Sequence, residues 1–90
     1  MPGSGQPLAL TVSVLYFAAL RDLAGTGEER LDLPAGADVE ALLQALVQRH
    51  AALEERLGSI RVAVNEEFSN RSQTLHSGDV VALIPPVSGG

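Results

Sequence analysis

The residues best suited to chemistry are the last six, Pro85-Pro86-Val87-Ser88-Gly89-Gly90. A terminal glycine carboxylate is a poor electrophile as it stands. Converted to an acyl adenylate with ATP, it gains a good leaving group, and sulfur attack then gives a thiocarboxylate, anionic and nucleophilic at neutral pH. Gly89 and Gly90 lack Cβ atoms, so the backbone can thread a narrow channel and adopt dihedrals closed to other residues. Gly90 also leaves its own carbonyl unhindered. Pro85 and Pro86 stop a strand, because neither donates to a ladder, and they favour a stiff, extended exit. Val87 adds an apolar foothold and Ser88 a small polar one. Ordering such a tail on docking costs roughly 1–2 kcal/mol per residue, and the proline pair has less freedom to lose. The plain alternative is a frayed terminus without a role. The position of the tail, directly behind an apolar closing strand, favours chemistry.

Other chemistries find little support. There is no cysteine, hence no disulfide, no thiolate nucleophile and no soft metal site. His50 in "VQRHAAL" and His76 in "TLHSGD" have no ligand-spaced partner, and they read as a helix-end and a turn histidine rather than a metal site. "GTG" at Gly25–Gly27 lacks the spacing of a nucleotide-binding loop, so ATP is expected on a partner and no cofactor on this chain. The basic residues are six arginines and no lysine, which removes Schiff-base chemistry and isopeptide attachment to its own side chains. A net charge of −5 argues against nucleic acid, since phosphate binding needs a concentrated basic surface. It suits a basic protein partner, or solubility alone. No stretch is long and apolar enough to span a bilayer, and no signal sequence is evident, so no membrane is expected and the expected location is cytoplasmic.

The elements that position the tail follow from hydrophobic period. Ninety residues, 46% of them apolar, make one small domain. Residues 1–7, "MPGSGQP", are expected to be a flexible arm, residues 8–86 the folded domain and residues 87–90 the reactive tail. "LALTVSVLYF" alternates Leu8, Leu10, Val12, Val14 and Tyr16 against Ala9, Thr11, Ser13, Leu15 and Phe17, which predicts a strand. "AALRDLAGTGEE" predicts a short helical turn broken by Gly25 and Gly27, and "ERLDLPA" a second strand burying Leu31 and Leu33. Asp38 caps the clearest helix, whose buried stripe is Val39, Leu42, Leu43, Leu46 and Val47. Helix or turn is expected to run on to Leu57 and to close at Gly58. "IRVAVNEEF" predicts a third strand, "SNRSQTLHSGD" polar turns and "DVVALIPP" the last strand. One long helix must then cover one face of a mixed sheet of four to five strands, an α+β arrangement with the first and last strands side by side.

Three stretches carry a family resemblance: "VLYFAALRDLAG", "VAVNEEF" and, above all, "SGDVVALIPPVSGG". From about Leu10 to Gly90 the chain resembles the small subunit of molybdopterin synthase, a sulfur carrier with a ubiquitin-like β-grasp fold. The resemblance implies that an ATP-dependent activating enzyme adenylates Gly90 and that sulfur is then loaded. The tail, with Gly89, would next enter the large subunit and donate sulfur to cyclic pyranopterin monophosphate to build the molybdopterin dithiolene. Two carriers serve each product, in a heterotetramer of two small and two large subunits. The chain would have no turnover alone. Phe17, Phe68 and Ile84 match apolar docking positions for both partners, with Pro85, Pro86, Val87 and Ser88 continuing the contact. Phe68 reads equally as a core aromatic closing the sheet edge, and Phe17 and Ile84 as partly core. Arg21 is either a solvated arginine or a mate for an acidic partner group. Competing functions are a thiazole-synthesis sulfur carrier, a ubiquitin-like modifier joined through Gly90 to target lysines, and an inert interaction module.

Overall fold

In the computed structural model the described residues are 9–86. The arm expected at 1–7 and the tail expected at 87–90 lie outside them. In chain order the elements are β1 (Leu10–Tyr16), α1 (Ala19–Ala24), β2 (Glu28–Leu33), α2 (Val39–Arg49), a 3-10 helix (Ala51–Ser59), β3 (Arg61–Val64), β4 (Glu67–Ser69) and β5 (Val80–Ile84).

β1 buries Leu10, Val12, Val14 and Tyr16 and turns Thr11, Ser13 and Leu15 the other way, as its alternation requires. β2 returns antiparallel in the register Leu10↔Leu33 to Leu15↔Glu28 and buries Leu31 and Leu33. α1 sits in the connection and ends on Gly25, whose φ of 79° is a left-handed conformation open to glycine at little cost. α2 begins where the Asp38 carboxylate accepts the Ala41 N–H at 2.9 Å. Val39, Leu42, Leu43 and Leu46 of α2 are fully buried, and Leu20, Leu53 and Leu75 join the same cluster from α1, the 3-10 helix and the loop before β5.

The sheet order is β2-β1-β5-β3-β4, with β5 parallel to β1 and antiparallel to β3. The first and last strands are therefore neighbours, as expected, and the arrangement is the ubiquitin-like β-grasp. β5 stops at Ile84, where Pro85 would leave the ladder without a donor.

Three local expectations are corrected. Val47 is only half-buried, at the margin of the stripe. The segment after α2 is a 3-10 helix that runs through Gly58 to Ser59, and Gly58 has no left-handed φ to close it. "IRVAVNEEF" is two strands: a two-residue turn at Asn65 and Glu66, φ 51° and 74°, folds β4 back on β3, the left-handed pair that hairpins of this length use. The Asn65 side chain holds that turn to β5. Its Nδ2 donates to Asp79 Oδ1 at 2.9 Å and its Oδ1 accepts the Val80 N–H at 3.0 Å.

Candidate functional site: the open face of the sheet and the tail exit

Strand register decides which side chains share the face away from the core. Leu15 pairs with Ala82, Ala82 with Ala63 and Ala63 with Phe68, so these four form one row across β1, β5, β3 and β4. Their neighbours along the strands, Val14, Val81, Val62 and Val64, are buried, which sets this row on the open face. One step nearer the C-terminal end of β5, Ile84 stands opposite Arg61. Phe17 follows Tyr16, the partner of Leu83, and its N–H donates to the Leu83 carbonyl at 3.4 Å. Phe17 and Ile84 thus lie at the end of the sheet from which Pro85 and Pro86 leave.

This face is apolar and uncovered. Phe17 is 41% exposed, Phe68 62% and Val80 38%, a concentration of large exposed hydrophobic groups on one face. Phe68 is therefore not the core aromatic that its sequence also allowed. Between β1 and β5 an open groove of about 450 Å³ is lined by Leu15, Phe17, Asn65, Glu66, Val80 and Ala82. Pro85 is half-buried and Pro86 exposed, while Val87, Ser88, Gly89 and Gly90 lie outside the described residues. Arg21 is exposed and lies over Gly27, whose carbonyl accepts the Tyr16 N–H: the Arg21 Nε would stand 3.1 Å from a Cβ placed at Gly27, in the loop between α1 and β2.

Arg61 escaped the sequence reading. Its guanidinium carbon lies 4.2 Å from the Phe68 ring centroid, a stacking worth about 0.5–1 kcal/mol at an exposed site. Ala63, opposite Phe68 in the ladder, is left 7% exposed. The outward period of "VVALI" was the available signal for Val80, Ala82 and Ile84. Arg61 needed the register itself.

A polar cluster lies on the other side of the sheet. Glu29 Oε1 accepts the Tyr16 hydroxyl at 2.6 Å and His50 Nε2 at 2.5 Å, while Oε2 accepts Arg49 Nη1 at 2.7 Å. Burial works to raise the Glu29 carboxyl, but the Tyr16, Arg49 and His50 donors outweigh it and hold the group below the ordinary carboxylate range. Tyr16 is pushed far up, first by burial and then by its bond to Glu29. Every polar group here is satisfied, and the cluster fastens the end of α2 to β1 and β2 rather than offering a reactive site.

The ThiS family model matches residues 14–90. The chain is 39% identical over 83 residues to a molybdopterin synthase sulfur carrier subunit of Chlamydomonas reinhardtii, covering 90% of this chain and 100% of that protein. Among solved structures, the small archaeal modifier protein SAMP1 of Haloferax volcanii superimposes with a TM-score of 0.83 at 36% identity, covering 89% of this chain and 99% of that one. A chain from the complex of subunits 1 and 2 of the molybdopterin-converting factor of Helicobacter pylori matches at 33% identity and a TM-score of 0.62, over 90% of this chain and 100% of that one.

Proposed function

Given that this chain belongs to the ThiS family, we propose that it is the sulfur-carrier subunit of a molybdopterin synthase, working in the cytoplasm, where ATP is supplied. The observation that carries this reading is the similarity to named molybdopterin synthase carriers over their whole length. That similarity also favours a pyranopterin acceptor over a thiazole precursor.

The chemistry resides in the tail. In an activating enzyme a Gly90 carboxylate oxygen attacks the α-phosphorus of ATP and pyrophosphate leaves. A sulfur nucleophile then displaces AMP at the carbonyl carbon, giving the thiocarboxylate. In the large subunit this sulfur bonds to a side-chain carbon of the pyranopterin substrate as the C–O bond at that carbon breaks and the oxygen group leaves with the electron pair. Water then cleaves the resulting thioester, leaving sulfur on the product and a carboxylate on Gly90. The body contributes binding. β5 delivers Pro85 and Pro86 beside Phe17 and Ile84, so the same apolar end that docks also aims the tail. Phe68 extends the docking surface along the open face.

Intact-mass analysis of the chain purified from its native host tests the reading, with the modification mapped to the terminus. A fraction carrying sulfur in place of oxygen at Gly90 is expected. A plain carboxylate that persists after incubation with ATP, a sulfide source and the activating enzyme would overturn it. A second reading rests on the likeness to the archaeal modifier protein: Gly90 joined to a lysine amine of another protein. The same spectra would reveal that linkage, and because this sequence contains no lysine, chains built through its own side chains are excluded.

A further inference from the structure

We infer that Arg61 and Glu66 orient the docked partner, so that the open face accepts a protein surface of defined polarity. On that surface a carboxylate would face Arg61 at the tail-exit end, a basic side chain would face Glu66, and an apolar side chain would fill the groove that Leu15, Phe17, Val80 and Ala82 line beside Glu66. This inference rests on the proposed function and takes the synthase large subunit as the occupant.

The two charges bracket the apolar patch. Arg61 begins β3 opposite Ile84, at the end where the tail departs. Glu66 lies in the turn after β3 and lines the foot of the groove. The length of β3 separates them, its three steps from Arg61 to Val64 spanning roughly 10 Å at strand rise before the turn begins. Among the described residues, neither side chain makes a salt bridge or a hydrogen bond to another protein group, and the ion pairs that exist join Glu29 to Arg49 and His50, and Glu40 to Arg71. Arg61 is also held in place by Phe68, so less side-chain freedom is lost when an acceptor engages its planar fork. The β2 side of the same face carries Glu28, Arg30 and Asp32, opposite Leu15, Ser13 and Thr11. These alternating signs make a polar rim rather than a directing field. An apolar centre gives binding energy but fixes direction weakly. Opposite charges at its two ends set one orientation and oppose the reversed one by like-charge contact. The tail must reach a single channel, so orientation is what this surface has to specify.

The test measures binding of the full chain to the purified large subunit by calorimetry at low and high salt, for wild type, Arg61→Glu, Glu66→Arg and the milder Arg61→Gln and Glu66→Gln. Circular dichroism melts confirm that each variant is folded. Each reversal is expected to weaken binding roughly tenfold or more, each neutral variant less, and all four to flatten the salt dependence. In parallel, wild-type carrier thiocarboxylated at Gly90 is assayed for sulfur transfer. Wild type that binds and transfers sulfur, alongside folded variants with unchanged affinity and salt dependence, would overturn the orienting role while leaving the function intact. Loss of affinity for the activating enzyme but not for the large subunit would also overturn it. Wild type that neither binds the large subunit nor transfers sulfur would remove the functional reading, and this inference with it.

Discussion

At the scale of the residue, the most informative backbone position is Ala18. The Phe17 carbonyl accepts the Leu20 N–H at 3.0 Å, closing a turn whose first central residue is Ala18 at φ 52° and ψ −130°. A glycine is the natural occupant there, since a Cβ in that region costs about 1–3 kcal/mol. The turn reverses the chain immediately after Phe17, so strain is stored beside the docking patch. Ala18→Gly is expected to raise stability by about 1 kcal/mol, the relief of strain being partly offset by greater freedom in the unfolded chain. Urea unfolding checks this, and a less stable variant would show that the turn is not strained. Nothing in "YFAALRD" announced the conformation, because alanine favours ordinary helix and gives no sign of left-handed backbone. Phe17 and Ile84 were legible as candidates only through the family resemblance, since by themselves they read as partly core. Arg61 was not, since its significance depends on Phe68, seven positions away and brought alongside only by the hairpin.

At the scale of the element, Glu29 of β2 holds two other elements through one carboxylate: β1 by Tyr16, and the end of α2 by Arg49, its last residue, and by His50, the residue after it. The folded state lowers the affinity of Glu29 for a proton. Its contribution is therefore complete above the ordinary glutamate value of about 4.3 and is lost as pH falls through that value toward the lower folded one. Wild-type stability should drop more steeply between about pH 5 and pH 3 than that of Glu29→Gln, with the variant about 1–3 kcal/mol less stable at neutral pH. Parallel curves of melting temperature against pH would refute this. The strands, α2 and their buried faces were readable because period-2 and period-3.6 patterns are local. The cluster was unreadable because it gathers positions 16, 29, 49 and 50. β4 was missed for a related reason: its turn is Asn65-Glu66, not the Asn-Gly pair that usually marks such a hairpin.

For the whole molecule, the core cluster draws on residues from Leu10 to Leu83, while the proposed chemistry sits at Gly90. Deleting Gly90 should abolish sulfur loading and shift the melting temperature by less than about 1 °C, since no core group is removed. Sulfur transfer that survived the deletion would sink the carrier mechanism, and a large fall in melting temperature would give the terminus a structural role. The β-grasp order was visible in the sequence, and the chemistry proposed for the Pro-Pro and Gly-Gly segments rests on the sequence alone. How the patch faces a partner was not, because that belongs to the register of the sheet.

The place of β5 between β1 and β3 has a consequence for how the molecule comes to exist during synthesis. The strand that fills the middle of the sheet comes last in chain order among the described strands, and it pairs with the first. Until it emerges, β1 and β3 have a gap between them, and the buried faces of Val81 and Leu83 are missing from the core. Long-range pairing of this kind postpones folding until nearly all of the chain is available. A polypeptide that terminates before Val80 should therefore stay unfolded and be open to proteolysis, instead of accumulating as a folded decoy that occupies partners with no tail to offer. The topology couples completion of the fold to completion of the strand that leads into the proposed reactive end.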